Sequence, residues 1–188
     1  MKKRYLLQAE RIDKACPRGP IMLGDIFYEQ RRYKQAIACY KRVSERDPDF
    51  IYAIMPAIID CYKKLSDETG LSAYLERELT DKPQVDVVLA IAKQLNTKQG
   101  HLAALEFITK QLQNNPSLAI LQYLVTAYRD NTHGEVHAQL SLLLSIIDSI
   151  LKKRNLFRCN QCGFSGKSHY WLCPGCQTWN STKPIQDL

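Results

Sequence analysis

Small and large apolar residues recur along this chain in a pattern that returns every 34 positions. It is clearest over residues 17–50, PRGPIMLGDIFYEQRRYKQAIACYKRVSERDPDF. Leu23, Gly24 and Phe27 fall on one face of a first helix. Ala36 and Tyr40 fall on one face of a second. Gly24 and Ala36 are small enough for two antiparallel helices to approach closely, and Phe27 and Tyr40 fill the space around them. Pro48 cannot continue a helix and stops the second one. Asp47 and Pro48 then form the turn into the next unit.

Stepping by 34 tests the register. Ala36 maps onto Gly70, Ala104 and Ala138, all small. Tyr40 maps onto Tyr74, Ile108 and Leu142, all large and apolar. Pro48 maps onto Lys82, beside Pro83, and onto Pro116. Phe27 maps onto Cys61, Leu95 and Arg129, so the pattern degrades in the fourth unit. Gly24 maps onto Ile58, Ala92 and Thr126, which predicts a splayed helix pair in the second unit. This pattern resembles the tetratricopeptide repeat, a helix-turn-helix unit of the same period. The expected organisation is mainly α. Repeats occupy residues 17–50, 51–84 and 85–118, with a degenerate repeat or capping helices over 119–154. Stepping backwards makes residues 1–16 the second helix of a truncated repeat, or an N-terminal cap, with Leu6 and Ala9 on its apolar face. A half repeat leaves that face uncovered, and solenoids need capped ends. The expectation is therefore a C-terminal portion of a longer protein.

The second helix of the fourth unit has its own pattern. Ser141, Ser145, Asp148 and Ser149 form one narrow polar stripe, and the remainder of LSLLLSIIDSIL is leucine and isoleucine. A helix apolar on most sides is expected to be buried on most sides. The preceding helices can cover one side. The C-terminal segment is the nearest candidate for the other. No run of eighteen apolar residues exists, so this segment is read as a core helix and not as a membrane span. The start, MKKRYLLQAE, lacks the long apolar region of a signal peptide.

Residues 155–188 carry the candidate chemistry. Cys159 and Cys162, then Cys173 and Cys176, form two CxxC pairs separated by ten residues. Four thiolates at that spacing suit a tetrahedral metal ion. A thioredoxin-like redox pair would need a βαβ context, which is absent. Gly163 permits the positive φ that turns backbone N–H groups toward sulfur. Gln177 stands where the second turn would have its glycine, which predicts a less regular turn there. Phe157, Phe164, Trp171 and Trp179 supply aromatic bulk. The expected architecture is a small rubredoxin-like or zinc-ribbon β module whose folding energy comes largely from the metal. The expected ligands are Cys159, Cys162, Cys173 and Cys176, holding one iron or zinc ion, since both metals accept tetrahedral sulfur. Four sulfurs leave no open position for hydrolytic chemistry. His169 between the knuckles is read as a surface or packing residue. His101, His133 and His137 are read as solvated, and Cys39 and Cys61 as core. No catalytic constellation appears, so the chain is not read as an enzyme.

Charge changes little. The 188 residues carry a formal net charge of +7. Four thiolates around a divalent ion would lower it by two, and they would cancel the small excess of Arg158, Lys167 and Lys183 over Asp187 in the tail. That is poor support for a nucleic-acid surface. The seven cysteines show no disulfide framework and fit a reducing compartment.

The tail motif CxxCGF…YWxCPxCxxW…KP, set behind the repeats, resembles the lipopolysaccharide assembly protein B family of Gram-negative bacteria. The residues carrying the resemblance are Cys159, Cys162, Gly163, Phe164, Tyr170, Trp171, Cys173, Pro174, Cys176, Trp179, Lys183 and Pro184. The resemblance implies a non-enzymatic adaptor on the cytoplasmic face of the inner membrane, with an N-terminal anchor that this chain lacks. The fragment itself is expected to be soluble. The implied work is regulation of lipopolysaccharide synthesis, by recruiting the deacetylase of the lipid A pathway to a membrane AAA protease. The implied partners are that protease, the deacetylase and an inner-membrane sulfatase-like regulator. Homodimerisation is a further expectation, and nucleic acid is not expected. Two other readings stand beside it: a nucleic-acid-binding zinc ribbon, and a rubredoxin-like electron-transfer module on a repeat scaffold.

Overall fold

A computed structural model describes residues 16–80 and 83–185, with positions 6, 8 and 13. The expected helix over residues 1–16 and the repeat position Lys82 lie almost wholly outside the described residues. The chain divides into two compact units, residues 1–78 and 79–188.

The first unit holds α1 (Arg18–Glu29), α2 (Tyr33–Arg46), α3 (Ile51–Lys64) and α4 (Glu68–Glu78). The second holds α5 (Val85–Gln99), α6 (His101–Asn114), α7 (Leu118–Asp130) and α8 (Gly134–Lys153), followed by three short strands. The odd-numbered helices begin at residues 18, 51, 85 and 118, so the predicted period is kept to within a residue. Chain breakers fall where expected. α2 ends at Arg46, and Pro48 opens a 3₁₀ turn, Pro48–Phe50, whose Asp49 N–H donates to the Asp47 carboxylate at 3.3 Å. α6 ends at Asn114, just before Pro116.

Close approach of α1 and α2 rests on Gly24. A Cβ placed there would sit 2.3 Å from Tyr40 Cε1, far inside contact distance. The ring of Tyr40 packs directly against that glycine. Its hydroxyl donates to Asp25 at 2.9 Å, and burial together with that bond raises its pKa. Leu23, Phe27, Ala36, Val43, Phe50, Ile54 and Ile58 complete this core. Cys39 and Cys61 are buried as expected, and desolvation pushes the Cys61 thiol up to about 11, which leaves it protonated and inert. The predicted splay appears in the second hairpin. With Ile58 in place of a glycine, α3 and α4 touch over a shorter stretch than the two helices of each of the other hairpins. Gly70 does not serve as a close-approach site, because the group it faces is the Asp67 carboxylate of its own turn.

In the second unit, Val88 and Ala92 of α5, Ile108 of α6 and Ile120 of α7 form one buried cluster. Val125 of α7 with Leu144 and Ile147 of α8 form another. Here the strict register fails. Ala138 and Leu142, expected at the α7–α8 contact, are exposed. Leu140 and Leu144, each two residues further on, hold that contact instead, together with Ile147. Leu144 and Ile147 pack on Val125 of α7, and on the same side the Asp148 carboxylate accepts from Gln122 Nε2 of α7. A second expectation also fails. None of the three strands packs on α8, and Leu142, Leu143, Ile146 and Ile150 remain exposed. α8 matches a membrane span in length and mean hydropathy (1.2), yet Leu144 and Ile147 are spent on α7.

The strands are β1 (Phe157–Cys159), β2 (Ser165–Gly166) and β3 (Thr182–Pro184), in the order β2-β1-β3. Both pairings are antiparallel, with Arg158 opposite Ser165 and Lys183. β1 and β2 flank the first cysteine knuckle, and an isolated bridge between Leu172 and Trp179 flanks the second.

Candidate metal centre

Each knuckle is a tight turn starting at its first cysteine. In the first, the Gly163 N–H donates to the Cys159 carbonyl at 3.0 Å. In the second, the Gln177 N–H donates to the Cys173 carbonyl at 2.9 Å. Gly163 has φ 76° and Gln177 has φ 55°. The second turn is therefore not irregular, as the missing glycine predicted. Gln177 adopts the same left-handed conformation at a steric cost. Replacing it removes that cost, so Gln177→Gly is expected to slow metal loss to a chelator and to stabilise the loaded module by about 0.5–1 kcal/mol. Gln177→Val is expected to do the reverse. Equal release rates for the three proteins would contradict the strain.

The turns bring four sulfurs together. Cys159 Sγ lies 3.7 Å from Cys176 Sγ, and Cys162 Sγ lies 3.6 Å from Cys173 Sγ. All four lie within 4.8 Å of one another. Ligands about 2.3 Å from a tetrahedral ion sit about 3.8 Å apart, so the cage is already near the size that zinc or iron requires. Cys159 and Cys173 are buried, Cys176 is half-buried and Cys162 is exposed.

The surroundings favour thiolates unevenly. Cys159 Sγ lies 3.3 Å from the Ser181 hydroxyl and accepts from the Gln161 N–H at 3.4 Å. Chiefly through Ser181, its pKa falls to about 6. Cys176 Sγ lies 3.3 Å from the Thr178 hydroxyl, which lowers its pKa as well. Cys162 moves up to about 11: a backbone bond at Phe164 opposes the shift, but desolvation and proton sharing with the other three thiols outweigh it. Four anions cannot share so small a cage without a cation, and that is the chemical signature of a metal site. The shell would be all sulfur and closed, supplying a rigid cross-link and no position for substrate.

Three contributors were not legible from the CxxC pattern. Ser181 and Thr178 flank thiolates from positions beyond the second knuckle. Gly175 is a spacer: a Cβ there would stand 3.2 Å from Cys162 Sγ and 3.4 Å from Phe164 Cβ. Of the surface and packing roles read for it, His169 takes the packing one. Its ring meets Phe157 at 5.6 Å and Trp171 at 4.7 Å, edge-on, and burial lowers its pKa. Phe164 and Tyr170 form a second edge-on pair. Trp179 contributes less core than expected, because its side chain is largely exposed. His133 and His137 are exposed, as read.

Residues 157–184, from β1 through β3, match the family model described as the rubredoxin metal binding domain. The chain is 27% identical over 177 residues to lipopolysaccharide assembly protein B of Escherichia coli K12, covering 94% of this chain and 46% of that protein. It is 28% identical over 189 residues to the protein of the same name from Haemophilus influenzae, covering 100% of this chain and 48% of the relative. The chain is similar to lipopolysaccharide assembly protein B. The similarity runs through the helices as well as the metal module, and the chain spans about half the length of the relatives it matches.

Proposed function

We propose that this chain is a non-enzymatic adaptor in lipopolysaccharide assembly. The helical hairpins, read as tetratricopeptide repeats over residues 17–50, 51–84 and 85–118 with a degenerate unit over 119–154, offer a protein-binding surface. The module over 155–188 holds one iron or zinc ion through Cys159, Cys162, Cys173 and Cys176. The ion's role is structural: it cross-links two turns that are too small to hold themselves.

The observation that carries this reading is the pairing of a closed four-sulfur cage with helical hairpins, in a chain similar along 94–100% of its length to proteins named for lipopolysaccharide assembly. Within it, the finer mechanism is recruitment of the lipid A pathway deacetylase to a membrane AAA protease, on the cytoplasmic face of the inner membrane, under an inner-membrane sulfatase-like regulator. An adaptor works by raising the effective concentration of client and protease for each other. Catalysis is not required of it.

The test is deacetylase half-life in a Gram-negative host depleted of its own protein and supplied with this sequence at its natural length. Wild type is expected to restore rapid turnover, and a version ending before Asn155 is expected not to. A half-life that ignores depletion altogether would remove the adaptor reading.

A further inference from the structure

α1 and α3 are the first helices of the first two hairpins, and a groove of about 490 Å³ opens between them. Its walls are largely carbon: the ring of Tyr28 from α1, and Pro56 and Ala57 from α3. Its charged groups are three carboxylates, Asp25 and Glu29 of α1 and Asp60 of α3. The two aspartates are held in place. Tyr28 donates its hydroxyl to Asp60 Oδ2 at 2.6 Å, from one helix to the other, and Tyr40 donates to Asp25 Oδ1 at 2.9 Å. Each bond uses one oxygen of a group that has two, so Asp60 Oδ1 and Asp25 Oδ2 are left to accept.

The groove calls for a cation. The chain carries +7 overall, yet this patch gathers three negative groups and no lysine or arginine lines it. Asp25 and Glu29 are four residues apart on one helix, where like charges repel. Glu29 also closes α1, where the helix dipole disfavours an anion. Among the described residues, no ion pair offsets any of the three. The basic side chains nearest in sequence, Arg31, Arg32, Lys63 and Lys64, stand outside the groove, and Arg32 lies over the Phe27 ring at 5.3 Å. The counter-charge is left to a ligand.

The walls say which cation fits. A hard metal ion takes six or more oxygens, and carbon walls do not supply them. An arginine side chain suits both parts of the site. Its planar guanidinium can bond two carboxylates at once while its face lies on the Tyr28 ring, and its methylene stem suits the apolar walls. We infer that this groove binds an arginine side chain on an extended segment of a partner protein, with the guanidinium between Asp25, Glu29 and Asp60. It deepens the adaptor reading and rests on it for the ligand being a protein segment.

The probe is a capped pentapeptide, one arginine flanked by two alanines on each side. It is titrated into the metal-loaded, ¹⁵N-labelled chain and followed by amide shifts. A control peptide carries citrulline, which keeps the shape of arginine and lacks its charge. The arginine peptide is expected to shift the amides of Tyr28, Ala57 and Asp60 saturably. It is expected to bind at least about tenfold more tightly than the citrulline peptide. The double variant Glu29→Gln/Asp60→Asn is expected to lose that preference. The amide oxygen of asparagine still accepts from Tyr28, so the melting temperature is expected to hold or rise as the repulsion is removed. Equal affinity for the two peptides, or no saturable shift with either, overturns the inference. So does an arginine preference that survives the double variant, or a calcium ion that shifts these amides where the peptide does not. Deacetylase turnover that ignores depletion, with the arginine preference intact, removes the adaptor reading alone.

Discussion

Cys159→Ser is expected to strip the chain of its metal and unfold residues 155–188 while leaving the helices intact. Cys159 is buried, it sits at the end of β1, and its Sγ contacts both Cys176 and Ser181. Losing one of four thiolates opens the shell, and the ion is the main source of folding energy for a module with so little core. Apparent binding energies of structural zinc sites are on the order of 10 kcal/mol, more than any other interaction in these thirty residues could replace. Metal content after dialysis against a chelator should fall from one ion per chain to a small fraction. Near-UV circular dichroism from Trp171 should collapse, and the far-UV helical signal should persist. Cys39→Ser serves as the control, because that thiol lies in the helical core. A Cys159→Ser protein that keeps a full complement of metal would show that the four sulfurs are not the ligands.

Tyr40→Ala is expected to destabilise the first helical unit by about 3–5 kcal/mol, the range for deleting a large buried aromatic side chain. Its ring is 1% exposed and fills the space above Gly24, and its hydroxyl holds Asp25. The reciprocal change is informative. Gly24→Ala gains helix propensity, worth about 1 kcal/mol, but drives a methyl group into the ring. It is expected to destabilise the wild type and to become neutral or stabilising once Tyr40 is alanine. Urea denaturation of the four proteins in a double-mutant cycle reads this coupling directly. Additive effects would mean that Gly24 and Tyr40 do not share one contact.

Much of this fold is legible because its units are local. Gly24 under Tyr40, the Asp47-Pro48 turn, and the small residues Ala92 and Ala104 in the third hairpin each act within one repeat unit, so periodicity exposes them. The metal cage is legible for the same reason: each knuckle is a four-residue turn, and the ten residues between them leave little choice but to bring the pairs together. Gln177 escaped this logic. Its identity argued for an irregular turn, whereas the cage demands a left-handed one and imposes it. Ser181 and Thr178 escaped because a hydroxyl in a polar tail has no sequence signature until its sulfur neighbour is placed.

The fourth hairpin shows where pattern stops. Stepping by 34 placed Leu142 inside, yet α8 is turned so that Leu144 and Ile147 meet α7. That packing and the hydrogen bond from Gln122 to Asp148 go with this rotation, and no period encodes contacts between two helices. The apolar excess of α8 suggested burial against the metal module. The module instead pairs its own strands edge to edge, β2-β1-β3, and leaves that face open.

The sequence by itself determined the helical period, the breaks between helices and the four-cysteine chemistry, because each depends on residues close in the chain. Only the tertiary structure decided which face of α8 is spent on α7 and which hydroxyls lie against the thiolates. It also decided that Gln177 must turn left-handed. Those outcomes depend on which groups meet after folding, where packing between helices or one shared cage outweighs a local preference of about a kilocalorie per mole.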